Sequence, residues 1–103
     1  MGYQVDIAIN GQQTLDMCLN YSYNLIILDA GLPDMQGVEV GKRIRILEKN
    51  NKANRMPIVL LSAYPTNNLK KWCQEAEIDN FSTKPIPYKD LYIMLENIFN
   101  PKT

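Results

Sequence analysis

Three residues able to do chemistry close three short runs of the chain. Asp29 follows Leu25-Ile26-Ile27-Leu28, Ser62 follows Ile58-Val59-Leu60-Leu61, and Lys84 follows Asn80-Phe81-Ser82-Thr83. A carboxylate can take a phosphoryl group, a hydroxyl can hydrogen-bond its oxygens, and an ammonium can neutralise its charge. Each residue also has a plainer role when considered alone. Asp29 can be a turn residue or helix cap ahead of Gly31-Leu32-Pro33, Ser62 can cap a turn, and Lys84 can be a solvated loop lysine. It is their joint occurrence, each at the end of a strand-like run, that calls for a common explanation.

The elements that must position them can be read from the pattern. Short continuous apolar runs bounded by turn residues are the signature of strands buried on both faces of a parallel sheet. Leu25–Asp29 and Pro57–Ala63 are of this kind, and Asn80–Thr83 is a shorter strand that delivers Lys84 just before Pro85. Val5 to Ile9 alternates apolar and polar residues, which predicts a strand nearer a sheet edge. Between these runs lie helical repeats. Asn10 is placed to cap the first helix, with Gln13 as its capping-box partner and Leu15, Cys18, Leu19 and Ser22 as an inner face. Val40, Ile44 and Leu47 mark the second helix, which gives way to a fully polar stretch from Glu48 to Arg55. Pro65-Thr66 starts the third, with Leu69, Trp72, Cys73 and Ala76 turned inward. Pro87 lies near the start of the last, where Leu91, Leu95, Ile98 and Phe99 pack inward. The order β-α-β-α-β-α-β-α predicts an α/β domain with a parallel sheet and right-handed crossovers. Strand ends in such a sheet share one edge, where ligand sites form.

Composition removes several alternatives. The chain has 103 residues, enough for one small domain, and 46% are hydrophobic, so a packed core is expected. Lys plus Arg and Asp plus Glu both number 11, and this balance argues against a phosphate-backbone binder. There is no membrane-length apolar run or signal-like segment. Histidine is absent, so a phosphohistidine or an imidazole base must belong to another chain. Cys18 and Cys73 have no metal-type spacing and read as free thiols on apolar helix faces in a reducing compartment. No glycine-rich phosphate cradle is present, which argues against a nucleoside-triphosphatase site or a flavin-binding protein.

Ile27-Leu28-Asp29-Ala30-Gly31-Leu32-Pro33-Asp34-Met35-Gln36-Gly37, Leu60-Leu61-Ser62-Ala63 and Thr83-Lys84-Pro85 resemble, in order and spacing, the three motifs of receiver domains of two-component signalling. Gly31-Leu32-Pro33-Asp34-Met35 and the polar stretch from Arg45 to Arg55 look most like receivers of hybrid sensor histidine kinases. The resemblance covers residues 1–103 as a single receiver domain that begins at the family's second strand. It implies a flavodoxin-like (CheY-like) fold, N-terminally truncated, with about four strands and four helices.

The resemblance also implies roles. Asp29 would accept a phosphoryl group from the phosphohistidine of a histidine kinase or histidine phosphotransfer domain. Asp29 and the backbone carbonyl of Gly31 would ligate Mg²⁺, Ser62 and Lys84 would hold the phosphoryl oxygens, Phe81 would be the switch aromatic, and Lys84–Pro85 would be cis. Such a module is a signalling domain, not an enzyme, and is cytoplasmic, including the cytoplasmic part of a membrane-bound sensor kinase. An aspartate-nucleophile phosphatase would need an acid where Gly31 stands. The family's first strand and helix carry the acidic pair that holds most of the Mg²⁺, and neither Asp6 nor Asp34 replaces it. A phosphorylation-independent interaction domain is therefore the alternative. The missing central strand leads to one more expectation. The gap is closed by Val5–Ile9 pairing with Leu25–Asp29 or by another chain, so this chain self-associates.

Overall fold

The computed structural model describes residues 6–63, 67–85 and 87–99, apart from the side chains of Tyr88, Ile98 and Phe99. Helix α1 is Gly11–Asn20, strand β1 Ile26–Asp29, helix α2 Gly37–Asn50, strand β2 Ile58–Ser62, helix α3 Leu69–Glu75, strand β3 Asn80–Thr83 and helix α4 Tyr88–Phe99. The strands form a parallel sheet in the order β1-β2-β3, with Ile26 opposite Ile58 and Leu60 opposite Phe81. Alternation along β1 sends Ile26 and Leu28 into the core and leaves Ile27 exposed. In the central strand β2, Ile58, Val59 and Leu60 are all buried, as its unbroken apolar run requires. Val40 and Ile44 of α2 complete the centre of the core with Leu15, Leu69, Cys73 and Ile78.

Of the four strands expected, three occur among the described residues. Val5 lies outside them, and Asp6–Ala8 form no strand. Ile7 and Ile9 are 79% and 72% exposed, so the alternation there does not mark a buried face. The reason is local. Gln13 Oε1 accepts the Ile9 N–H at 2.7 Å, which removes that donor from any ladder, and Asp6 Oδ2 accepts the Tyr23 hydroxyl at 2.7 Å. Asn10 does cap α1, its side chain accepting the Gln13 N–H at 2.7 Å. The helix turns Gly11, Thr14 and Leu15 inward, with Cys18 half-buried, while Leu19 and Ser22 face solvent, contrary to the predicted face. Trp72 is likewise exposed on α3, whereas Leu69, Cys73 and Ala76 are buried as expected. Leu95 is buried and Leu91 half-buried on α4. Pro65, Thr66 and the side chains of Ile98 and Phe99 fall outside the described residues.

The polar stretch from Arg45 to Arg55 contributes to a buried ionic cluster. Arg45 Nη1 donates to Glu48 Oε1 and to the Met56 carbonyl, both at 2.8 Å, Nε donates to the Glu77 carbonyl at 2.9 Å, and Nη2 meets Asp79 Oδ2 at 3.0 Å. Glu48 Oε2 accepts the Met56 N–H and Asp79 Oδ2 the Ile58 N–H, each at 2.7 Å. Every charge in the cluster therefore has a partner, the condition for burying ions at tolerable cost. The cluster ties the end of α2 to the start of β2 and to the turn before β3, at the sheet end opposite Asp29. Both cysteines are free. Burial and the nearby Glu48 push the Cys18 thiol up to about 11, and burial raises Cys73, so neither is a ready nucleophile.

Candidate functional site

Sheet register brings the three chemical residues to one edge. Asp29 ends β1 opposite Leu61, and the next N–H, that of Ala30, donates to the Leu61 carbonyl at 2.8 Å. Ser62 ends β2 opposite Thr83, and the Lys84 N–H donates to the Ser62 carbonyl at 2.9 Å. The side chains of Asp29 and Lys84 then meet. Lys84 Nζ lies 2.5 Å from Asp29 Oδ2, and the Gly31 N–H donates to Asp29 Oδ1 at 2.9 Å. Both carboxylate oxygens are thus held, yet the pair stays partly exposed and open to a reactant. The hydrogen bond from Lys84, followed by that from Gly31 and the lysine's charge, holds the Asp29 carboxyl below the usual carboxylate range against an opposing effect of burial. Asp29 therefore presents an anion at neutral pH.

The surrounding backbone is shaped to leave this edge clear. The Lys84–Pro85 bond is cis, as the resemblance implied. Ser62 is buried, and Phe81 is partly buried against the core two residues before the end of β3. The loop after Asp29 is pinched at its base by a Gly31–Gln36 bridge and by the Gly37 N–H donating to the Ala30 carbonyl at 2.9 Å. Gly37 makes that approach possible, since a Cβ there would lie 2.4 Å from the Asp29 carbonyl oxygen and 2.7 Å from Leu60 Cδ1.

Asp34, inside the same loop, has a role that sequence reasoning missed. Its two oxygens accept the N–H groups of Gly11 and Gln12 at 2.7 and 2.9 Å, so it caps α1 from a distant part of the chain. Those N–H groups hold its carboxyl below the usual range. The only hint in the sequence is that the first turn of α1 has no acidic residue of its own.

This donor set does not make a Mg²⁺ shell. Magnesium takes near-octahedral oxygen coordination. Among the described residues no group of three or more His, Cys, Asp or Glu side chains is placed to hold a metal. Asp6 is engaged by Tyr23 and Asp34 by α1.

The sequence profile described as the response regulator receiver domain matches residues 1–96. The chain belongs to that family. This receiver domain is 32% identical over 102 residues to hybrid signal transduction histidine kinase B of Dictyostelium discoideum, covering 91% of this chain and 5% of that protein. It is 36% identical over 90 residues to the transcriptional regulatory protein CusR of Escherichia coli, covering 87% of this chain and 37% of that protein. The receiver thus spans a small part of the length of these relatives. Among solved structures, it superposes on a CheY-like receiver domain from Methanospirillum hungatei with a TM-score of 0.82 at 26% identity, covering 93% of this chain and 73% of that one. The receiver domain of a Pseudomonas aeruginosa sensor histidine kinase, with magnesium coordinated in its active-site cleft, matches with a TM-score of 0.79 at 26% identity, covering 93% and 76%. The receiver is therefore a module of two-component signalling with the CheY-like fold, from a signalling family rather than a family of catalytic enzymes. No described helix is long and apolar enough to cross a membrane.

Proposed function

We propose that this receiver takes a phosphoryl group on Asp29 from the phosphohistidine of a histidine kinase or histidine phosphotransfer domain. The observation that carries the reading is the Asp29–Lys84 ion pair at the shared carboxyl edge of the sheet. In the transfer, an Asp29 oxygen forms the new O–P bond as the P–N bond to the donor imidazole breaks. The bonding electrons leave on that nitrogen, and the product is an acyl phosphate. Lys84 exchanges its carboxylate partner for a phosphoryl oxygen, and the Ser62 hydroxyl donates to another. Phe81 then turns into the space the hydroxyl vacates, carrying the state of Asp29 to the surface around β3 and α3. Among the described residues, Asp29 and the Gly31 carbonyl are the donors at this edge for Mg²⁺, too few for a complete shell. The two free thiols accord with a cytoplasmic setting.

A second reading, a phosphorylation-independent interaction domain, is favoured by the incomplete donor set for a cation. One experiment separates the two. The chain is incubated with a small-molecule phosphodonor, with and without Mg²⁺, and its intact mass is measured. One base-labile phosphoryl increment is expected in the wild type and none in Asp29→Asn. The full increment in Asp29→Asn removes Asp29 from the role, and a folded wild type that never labels supports the second reading.

A further inference from the structure

α1 and α2 run side by side in the same direction. Asp34, three residues before α2, holds the first N–H groups of α1 at one end. At the other end, Cys18 to Ser22 line one cavity together with Leu47, Glu48 and Asn51. Between the helices is an open groove lined by Leu15, Asp16 and Leu19 from α1 and by Arg43, Ile46 and Leu47 from α2. Leu19 and Ile46 are 58% and 55% exposed, large apolar side chains on a surface whose helices are otherwise polar outward. Asp16 precedes Leu19 by the same three-residue step as Arg43 precedes Ile46. One wall therefore presents an acid and an apolar residue, and the other a base and an apolar residue, at equal spacing on parallel helices.

That arrangement is complementary to itself. A twofold axis along the groove lays α1 of one copy over α2 of the other, so that each Asp16 faces an Arg43 and each Leu19 an Ile46. Arg43 already meets Glu39 at 3.3 Å, but that pair is exposed and resists exchange only weakly. We propose that this groove is the self-association surface of the chain and that its occupant is a second copy. The argument for that occupant is charge complementarity in register with the apolar pair. The contact is small, so the dimer is weak. Association was expected from the sequence at the gap beside Leu25–Asp29, and this proposal moves it to α1 and α2.

Sedimentation equilibrium into the high micromolar range tests it, with circular dichroism confirming that each variant folds. The wild type is expected to show a concentration-dependent dimer. Asp16→Arg and Arg43→Asp should each weaken it by roughly tenfold by setting like charges against each other. The double variant should restore it, because the pair is only exchanged, and Leu19→Asp should abolish it. A wild type that stays monomeric overturns the proposal. So does a dimer that survives Leu19→Asp, or a double variant no tighter than either single one.

Discussion

Arg45 Nη2 and Asp79 Oδ2 meet at 3.0 Å across 34 residues of sequence, and the same guanidinium also holds Glu48 and two backbone carbonyls. The start of β2, the end of α2 and the turn into β3 are therefore fixed by one side chain.

Removing that side chain leaves Glu48 buried without its counter-ion. Arg45→Met is expected to cost about 3–5 kcal/mol, read by urea unfolding. Adding Glu48→Leu to Arg45→Met should recover part of the loss, because the stranded charge goes with it. A cost within about 0.5 kcal/mol for Arg45→Met, the level of an ordinary surface change, would show that the cluster is not holding the elements together.

The Asp29 carboxyl is depressed chiefly by Lys84. A group whose folded pKa lies below its unfolded value adds stability above the unfolded value and loses it as pH falls through the folded one. Lys84→Met should therefore raise the Asp29 titration midpoint, seen by carboxyl carbon NMR. It should also flatten the acid limb of the stability curve below about pH 5, where the unfolded carboxyl begins to take up its proton. An unchanged Asp29 midpoint would break the link between the two residues.

Gly37 and Gly31 make a matched pair for a backbone test. Gly37→Ala pushes a methyl into the Asp29 carbonyl and Leu60, and overpacking of this kind costs about 1–3 kcal/mol. At Gly31 nothing lies within 4 Å of a Cβ, so Gly31→Ala should stay within about 0.5 kcal/mol of wild type. Thermal melts of the two variants decide the point, and equal effects would contradict the close approach at Gly37.

Asp29, Ser62 and Lys84 were legible because each closes a run whose pattern reports a strand end directly. Parallel pairing then forces such ends onto one edge. Helix faces were less legible. In a ten-residue helix such as α1, a small rotation exchanges Leu19 for Thr14, and the spacing of apolar residues cannot fix it. The segment before Asn10 alternates like a strand, but Gln13 takes the Ile9 N–H that a ladder would need. Arg45 and Glu48 read only as members of a polar stretch, because partners such as Met56, Glu77 and Asp79 are remote in sequence. Asp34 was hidden for the same reason.

Asp34 has a consequence for how this receiver can be observed. It sits in the loop that begins one residue after Asp29, yet its oxygens hold the first N–H groups of α1. That loop cannot be displaced without leaving two donors at the start of α1 to water. Solvent exchange at the Gly11 and Gln12 amides is therefore a built-in gauge of the loop beside Asp29, readable with no probe attached to the carboxylate.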